Sequence, residues 1–222
     1  RRSLVVGISG VDSCFLTQTV LCPVWSKDNL RVFYALQILT TLISLSEGPL
    51  QTAVRGKGYA YGTGVHFTEW KGYLQFYLYE TRAPHKALEE FHVLLRGMRD
   101  DAAVQSAILS DFNIASAKAS YVYDLKSNRC VPISIIDIYY KEFLKSGPRA
   151  APADDWTLLD NIDRDDLLDA FRTYLLRFLD PGQVSTLVVC NVQGMEGTAQ
   201  DCAQHMHGTP EVVKLQQLLN QG

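Results

Sequence analysis

Long hydrophobic runs are missing from this 222-residue sequence. The most apolar stretch, roughly Leu30 to Leu45, is broken by Arg31, Gln37, Thr40 and Thr41. It falls short of the ~20 apolar residues that span a bilayer, and it is not N-terminal, so it is no signal peptide. An excess of positive charge is missing as well. The formal net charge of -3 argues against nucleic acid or an anionic membrane as the main partner. Cysteine is sparse and unpatterned: Cys14, Cys22, Cys130, Cys190 and Cys202 are odd in number and form no C-x-x-C pair. They read as reduced thiols in a cytosolic or organellar setting. Repeats and low-complexity tracts are absent too.

Several kinds of chemistry are excluded by motif. A P-loop needs G-x-x-x-x-G-K and then Ser or Thr. Here Gly56-Lys57 is followed by Gly58, and Gln51 stands where the first glycine belongs. Gly56, Gly58 and Gly62 miss G-x-G-x-x-G by one residue. His85 and His92 are seven positions apart, about 10.5 Å of helical rise, too far for two ligands of one zinc at ~2 Å. They read as surface histidines on a helix. "CAQHMH" gathers Cys202, His205 and His207 without a fourth ligand or a second pair and reads as a surface segment. Neither H-E-x-x-H, nor H-x-x-E-H, nor a G-x-S-x-G elbow is present. The acidic set from Asp154 to Asp166 is read as helix N-termini and a solvated face. The chain holds no complete catalytic set, so any part it plays in chemistry is a fragment of a site.

What is present is ordinary globular composition, 47% hydrophobic and 20% charged, enough to bury one sizeable core. Leu4–Ser9 and Cys14–Leu21 read as strands around a Gly10-Val11-Asp12 turn. Ser26 can cap a helix running to about Leu45 that is apolar on nearly every side and therefore mostly buried. Pro49 suits the start of a short helix, "PLQTAVR". Tyr59–Phe67 and Tyr73–Glu80 read as a hairpin with a loop longer than two residues. In the second run Leu74, Phe76 and Leu78 share one face and Tyr73, Gln75, Tyr77 and Tyr79 the other, giving one dry and one amphipathic face. Helices are expected over His85–Met98, from about Asp101, over Ile133–Lys145 and over Arg164–Leu179, the last capped by Asp163. "SGPRAAPADD" is the best linker candidate, "VSTLVVCNV" is a strand, and the tail past Gly194 is weakly helical. This order lacks strict β-α alternation. It predicts a single α+β domain over residues 1–222, an antiparallel sheet with helices on one face.

One stretch fits none of the excluded motifs. "AVRGKGYAYGTG", Ala53 to Gly64, packs an arginine, a lysine and two tyrosines among glycines, where a plain loop would use Asn, Asp or Ser. Arg55 could simply cap the preceding helix, and Tyr61 could be an ordinary strand aromatic. Alternation places Tyr59, Tyr61, Thr63, Val65 and Phe67 on one strand face and Ala60, Gly62, Gly64 and His66 on the other. The small residues of the second face suit close helix packing, which leaves the Tyr61 face uncovered. Lys57 is read as solvated or bound to a neighbouring domain. Tyr59, Tyr73, Tyr77 and Tyr79 could line a peptide surface or pack within the sheet.

The segment from Glu47 to Phe91 resembles the C-terminal domain of the pitrilysin/insulinase family of zinc metallopeptidases. It is most similar to the presequence-protease-like branch and its fungal relatives. Arg55, Lys57, Gly58, Ala60, Tyr61 and Gly62 match that branch's R-x-K-G-x-A-Y-G pattern in order, and "SAKAS" further on looks similar. The resemblance implies the last domain of a larger peptidase whose two half-shells close around a chamber. Zinc would be bound by another domain, with no metal ligand in this chain. Arg55 and Tyr61 would reach the substrate as the catalytic residues supplied here. The implied partners are a peptide substrate and the N-terminal domains of the same polypeptide. The alternative is a non-catalytic structural or peptide-presenting subunit of the same superfamily. A start at Arg1-Arg2 without Met is compatible with a piece of something larger. The expected compartment is the cytoplasm, with the mitochondrion as the alternative.

Overall fold

The computed structural model describes residues 2–128, 130–146, 156–206 and 208–219. In chain order it contains β1 (Ser3–Ile8), β2 (Cys14–Leu21), a 3-10 turn (Lys27–Asn29), α1 (Leu30–Ser44), α2 (Pro49–Val54), β3 (Ala60–Thr68) and β4 (Tyr73–Thr81). Then come α3 (Pro84–Asp100), α4 (Ala102–Ile108), α5 (Asp111–Asn128), α6 (Pro132–Ser146), α7 (Trp156–Asp160) and α8 (Arg164–Thr173). A 3-10 turn (Leu175–Leu179), β5 (Ser185–Asn191), α9 (Met195–Cys202), a 3-10 turn (Ala203–His205), β6 (Glu211–Lys214) and α10 (Leu215–Leu219) complete it. Most of the linker candidate lies outside the described residues. No described helix is long and apolar enough to cross a membrane.

The described strands form one sheet in the order β3-β4-β2-β5-β1-β6. It is antiparallel from β3 through β5, as expected. It then continues with two parallel pairings, β5 with β1 and β1 with β6. β1 and β2, close in sequence, do not pair; β5 enters between them.

Helices cover one face. α1 buries Tyr34, Ala35, Leu36, Ile38, Leu39, Leu42 and Ile43, which accounts for its lack of a polar side. The 3-10 turn that leads into it is closed by the Asn29 side chain, which accepts from the Ser26 N–H at 2.9 Å. α3 docks through Phe91, whose ring stacks on Phe76 of β4 at 4.0 Å between centroids and meets Phe178 edge-on at 5.3 Å. Full burial of such a ring contributes roughly 1.5–3 kcal/mol. α8 starts at a capping box: Asp163 accepts from the Asp166 N–H, and Asp166 accepts from the Asp163 N–H. Arg31 of α1 then holds the Asp166 carboxylate through its Nε and Nη2.

The other face of the sheet corrects the expected orientation of β3. Thr63, Val65 and Phe67 are buried under the helices, whereas His66 faces out. Gly62 pairs with Tyr79 and Gly64 with Tyr77 on the uncovered side. The glycines make room for tyrosine rings rather than for a helix. A Cβ on Gly64 would lie 2.8 Å from the Tyr77 ring, and an aromatic ring laid over a strand glycine compensates for its missing side chain. Tyr77 also stacks on His66 at 5.1 Å.

Candidate functional site

The turn between α2 and β3 determines where Arg55 and Tyr61 go. Pro49 occupies the first turn of α2, where its missing N–H costs nothing. The helix ends at Val54, and the Arg55 and Gly56 N–H groups both donate to the Gln51 carbonyl at 2.9 Å. A Cβ on Gly56 would lie 2.5 Å from the Thr52 carbonyl oxygen, so only glycine follows the helix so closely. Gly58 has φ +71°, in the left-handed region that L side chains avoid. Together these reverse the chain within a few residues and bring Arg55 beside the start of β3. Gln51 fixes the helix to the strand by donating to the Thr63 carbonyl at 2.7 Å.

Strict alternation would send the Tyr61 side chain to the buried face with Thr63. It is instead 68% exposed. The cause is an irregularity shared by the neighbouring strands. Glu80, across from Tyr61, has φ 52°, and the pairing of β2 with β4 shifts between Cys14 and Leu16. Ala60 and Thr81, on one side of the irregularity, face the core, and so do Thr63 and Leu78 on the other. The change of phase leaves Tyr61 outward. The expected outward direction is correct, but its cause is a local break in the pleat, not an uncovered 61/63/65/67 face.

The guanidinium carbon of Arg55 lies 5.9 Å from the centroid of the Tyr61 ring, within cation–π range. Tyr61 approaches Tyr79 at 6.4 Å, and Tyr79 meets Phe15 edge-on at 5.4 Å. Arg55, Tyr61, Tyr79 and Phe15 thus form a row across β3, β4 and β2 on the uncovered face. The Tyr79 hydroxyl is held above its ordinary pKa by the charge of Glu80 and a hydrogen bond to it. Among the described residues, neither the Arg55 guanidinium nor the Tyr61 hydroxyl has a hydrogen-bond or ion-pair partner. Arg55 therefore does not cap α2 through its side chain. Lys57 is committed elsewhere, at 2.6 Å from Glu90 of α3. Tyr77 is a half-buried residue of β4, and Tyr59, in the bend before β3, packs half-buried against the core.

β3 is an edge strand, yet its middle is not open to another strand. Ser44 Oγ accepts from the Val65 N–H at 2.9 Å, and Gln51 takes the Thr63 carbonyl. Side chains that occupy an edge in this way block strand addition. A cleft of about 520 Å³ beside this edge is lined by Ser44, Gly64, His66, Tyr77, Ser120 and Asp124, among others.

The Arg55–Tyr61 row offers donors and does not fit a metal. Among the described residues, one group of ligand-type side chains brings its ligand atoms within 4.8 Å of one another: Glu89, His92 and His205. It lies on the helical side of the sheet. The surface readings of His92 and of the "CAQHMH" segment therefore fail: His92 is 5% exposed, His205 8% and Cys202 fully buried. Tertiary packing brings α3 against the segment after α9, where Gln18 of β2 donates to the His205 carbonyl at 3.2 Å. Burial, together with the nearby His205 and Arg96, lowers the His92 pKa to about 4. Burial also lowers that of His205, with Glu89 opposing.

No protein-family model matches the chain. A Caenorhabditis elegans protein described as uncharacterized is 29% identical over 125 residues, 56% of this chain and 12% of that protein. Among solved structures, a chain assigned as an M16-like peptidase from Alicyclobacillus acidocaldarius superposes with a TM-score of 0.65 at 11% identity. The superposition covers 86% of this chain and 44% of that one. An M16 peptidase inactive domain from Pseudomonas fluorescens gives 0.61 at 14% identity, covering 86% of this chain and 44% of that one. The chain thus spans less than half the length of each of these relatives. Its α+β fold is that of M16, or pitrilysin-like, peptidase domains, a group that includes inactive ones.

Proposed function

We propose that this chain is the last domain of a zinc metalloendopeptidase of the pitrilysin/insulinase type, in its presequence-protease-like branch. In this reading it supplies Arg55 and Tyr61 to a site whose zinc another domain binds. The observation that carries the reading is the exposed pairing of Arg55 with Tyr61 on the uncovered face of the sheet, with no hydrogen-bond or ion-pair partner for either polar group among the described residues. Its exposure leaves the Tyr61 phenol within reach of a group outside the domain.

The chemistry available is donation. A guanidinium stays charged and presents forked N–H groups that can hold a peptide carbonyl. A phenol O–H can donate to a carbonyl oxygen as it gains negative charge during cleavage. The glycine-bounded turn and the Gln51 tie hold both groups on rigid backbone, so little reorganisation is needed when the charge develops. Because the β3 edge is occupied, the substrate meets side chains here rather than adding a strand. The partners are a peptide substrate and the N-terminal domains of the same polypeptide. The proposed compartment is the cytoplasm, with the mitochondrion as the alternative.

The test is Tyr61→Phe in the full-length protein. The expected result is a fall in kcat of about 10²–10³-fold, typical of losing one such donor, with little change in KM, because the bond matters chiefly in the transition state. Unchanged turnover contradicts the reading.

A second reading, a non-catalytic structural or peptide-presenting subunit, is favoured by the likeness to an inactive M16 domain. An intact H-x-x-E-H upstream in the full-length polypeptide decides for the first reading, and its absence decides for the second.

A further inference from the structure

The buried cluster on the helical side is built like a site rather than like a core. His92 Nε2 is buried, yet it has no hydrogen-bond partner. A buried ring nitrogen without a partner is destabilising, and this one lies among other ligand-type groups. It sits in the one group of ligand-type side chains that converges among the described residues. His205 Nε2 is 3.6 Å from Glu89 Oε2, and the His92 and His205 rings meet edge-on at 5.2 Å.

We propose that Glu89, His92 and His205 form a binding site for a borderline divalent ion of the zinc class, which clamps α3 to the segment that follows α9. Two imidazoles and one carboxylate are a recognised zinc donor set, with water completing the four-coordinate shell. Ligand atoms around a tetrahedral zinc lie about 3.3 Å apart, given bonds of about 2 Å. Binding an ion requires the present spacing of up to 4.8 Å to close to that value. Glu89 and His92 are one turn apart on α3, so they fall on the same face. His205 comes from the opposite wall, its backbone held by Gln18.

The neighbouring groups leave room for the ion. Arg96 binds Glu89 through Oε1 at 3.0 Å, leaving Oε2 turned towards His205. The Gln204 amide, 2.9 Å from His205 Nε2, belongs to an exposed residue and can swing away. Glu89 is itself partly exposed, which gives an ion its way in. His85, one turn before Glu89, lies 3.8 Å from Asp201 and stays outside the converging group. This clamp is separate from the zinc of the proposed peptidase site, which this chain does not hold.

The test titrates the chelator-treated 222-residue chain with Co²⁺ and Zn²⁺. The expected results are one equivalent bound, visible Co²⁺ bands of a four-coordinate nitrogen/oxygen site, displacement of Co²⁺ by Zn²⁺, and a raised Tm. His92→Gln and His205→Gln each weaken binding by more than about 10-fold, the low end for losing even an outer-shell partner. Because a buried substitution can unfold the chain, Glu89→Gln, at a partly exposed position, tests the site independently and is expected to weaken binding likewise. His66→Gln, on the other face of the sheet, leaves binding unchanged. No stoichiometric binding by the parent chain, or binding that survives Glu89→Gln and His205→Gln together, overturns the proposal. Peptide cleavage is not part of the readout, so failure here leaves the peptidase reading standing.

Discussion

The two sides of the sheet carry polar groups placed by opposite rules. On the uncovered side Arg55 and Tyr61 are exposed donors without a hydrogen-bond partner among the described residues, set on backbone that glycine and a helix end hold in place. On the helical side Glu89, His92 and His205 converge, two of them buried, with the His92 Nε2 buried and without a hydrogen-bond partner among the described residues. Exposed donors gain their strength when a ligand excludes water around them, whereas buried ones pay for desolvation in the fold itself. The first arrangement therefore suits a group that acts on something arriving from outside. The second suits a permanent or semi-permanent occupant that offsets its own burial.

Phe91 offers the largest way to break this comparison, because it seats α3 on the sheet directly before His92. Phe91→Ala is expected to destabilise the chain by about 3–5 kcal/mol, read by urea denaturation, with Tyr61 as exposed to solvent as before. A loss under about 1 kcal/mol would mean that Phe91 is not packed as described. Gly64→Val strikes the uncovered side instead. Its Cβ would meet the Tyr77 ring, so Tyr77 must move, at a cost of about 1–3 kcal/mol. Near-UV circular dichroism should register the displaced tyrosine, and an unchanged spectrum would count against the ring lying over the glycine. Asp163→Ala removes the N-cap of α8 and is expected to cost about 1 kcal/mol in thermal unfolding, with no effect on either polar group. Smallest of all is the catalytic output of the chain by itself. Assayed with and without added zinc, it is expected to cleave no peptide, even when zinc raises its Tm. Robust zinc-dependent cleavage would show that the donors and a metal meet within this one domain.

Much of the fold was legible because it is local. The period of two in β4, the all-round apolar character of α1 and the Asp163 cap each announce themselves within a few residues. The candidate pair, Arg55 and Tyr61, lies six positions apart in a short glycine-rich stretch, but its candidate role came only from the family resemblance. The misreadings share a cause. The sequence suits Gly62 and Gly64 to close helix packing because it does not show which neighbour fills the room; rings from β4 fill it. β6 escaped notice because four residues are too few to show a period. The parallel pairings of β1 depend on β5, from the far end of the chain. His92 and His205 looked like surface histidines for the same reason: only long-range packing brings α3 against the segment after α9.

The central claim is that Arg55 and Tyr61 act together on one developing charge. A double-mutant cycle in the full-length protein, with Arg55→Lys, Tyr61→Phe and the pair, tests it most directly. Zinc content is measured alongside kcat/KM. Arg55→Lys keeps the charge but loses the fork. The account predicts that each single change lowers kcat/KM with zinc content intact, and that the double variant loses clearly less than the product of the two, as groups serving one transition state do. Losses that simply multiply, or single variants with parental activity, would contradict it.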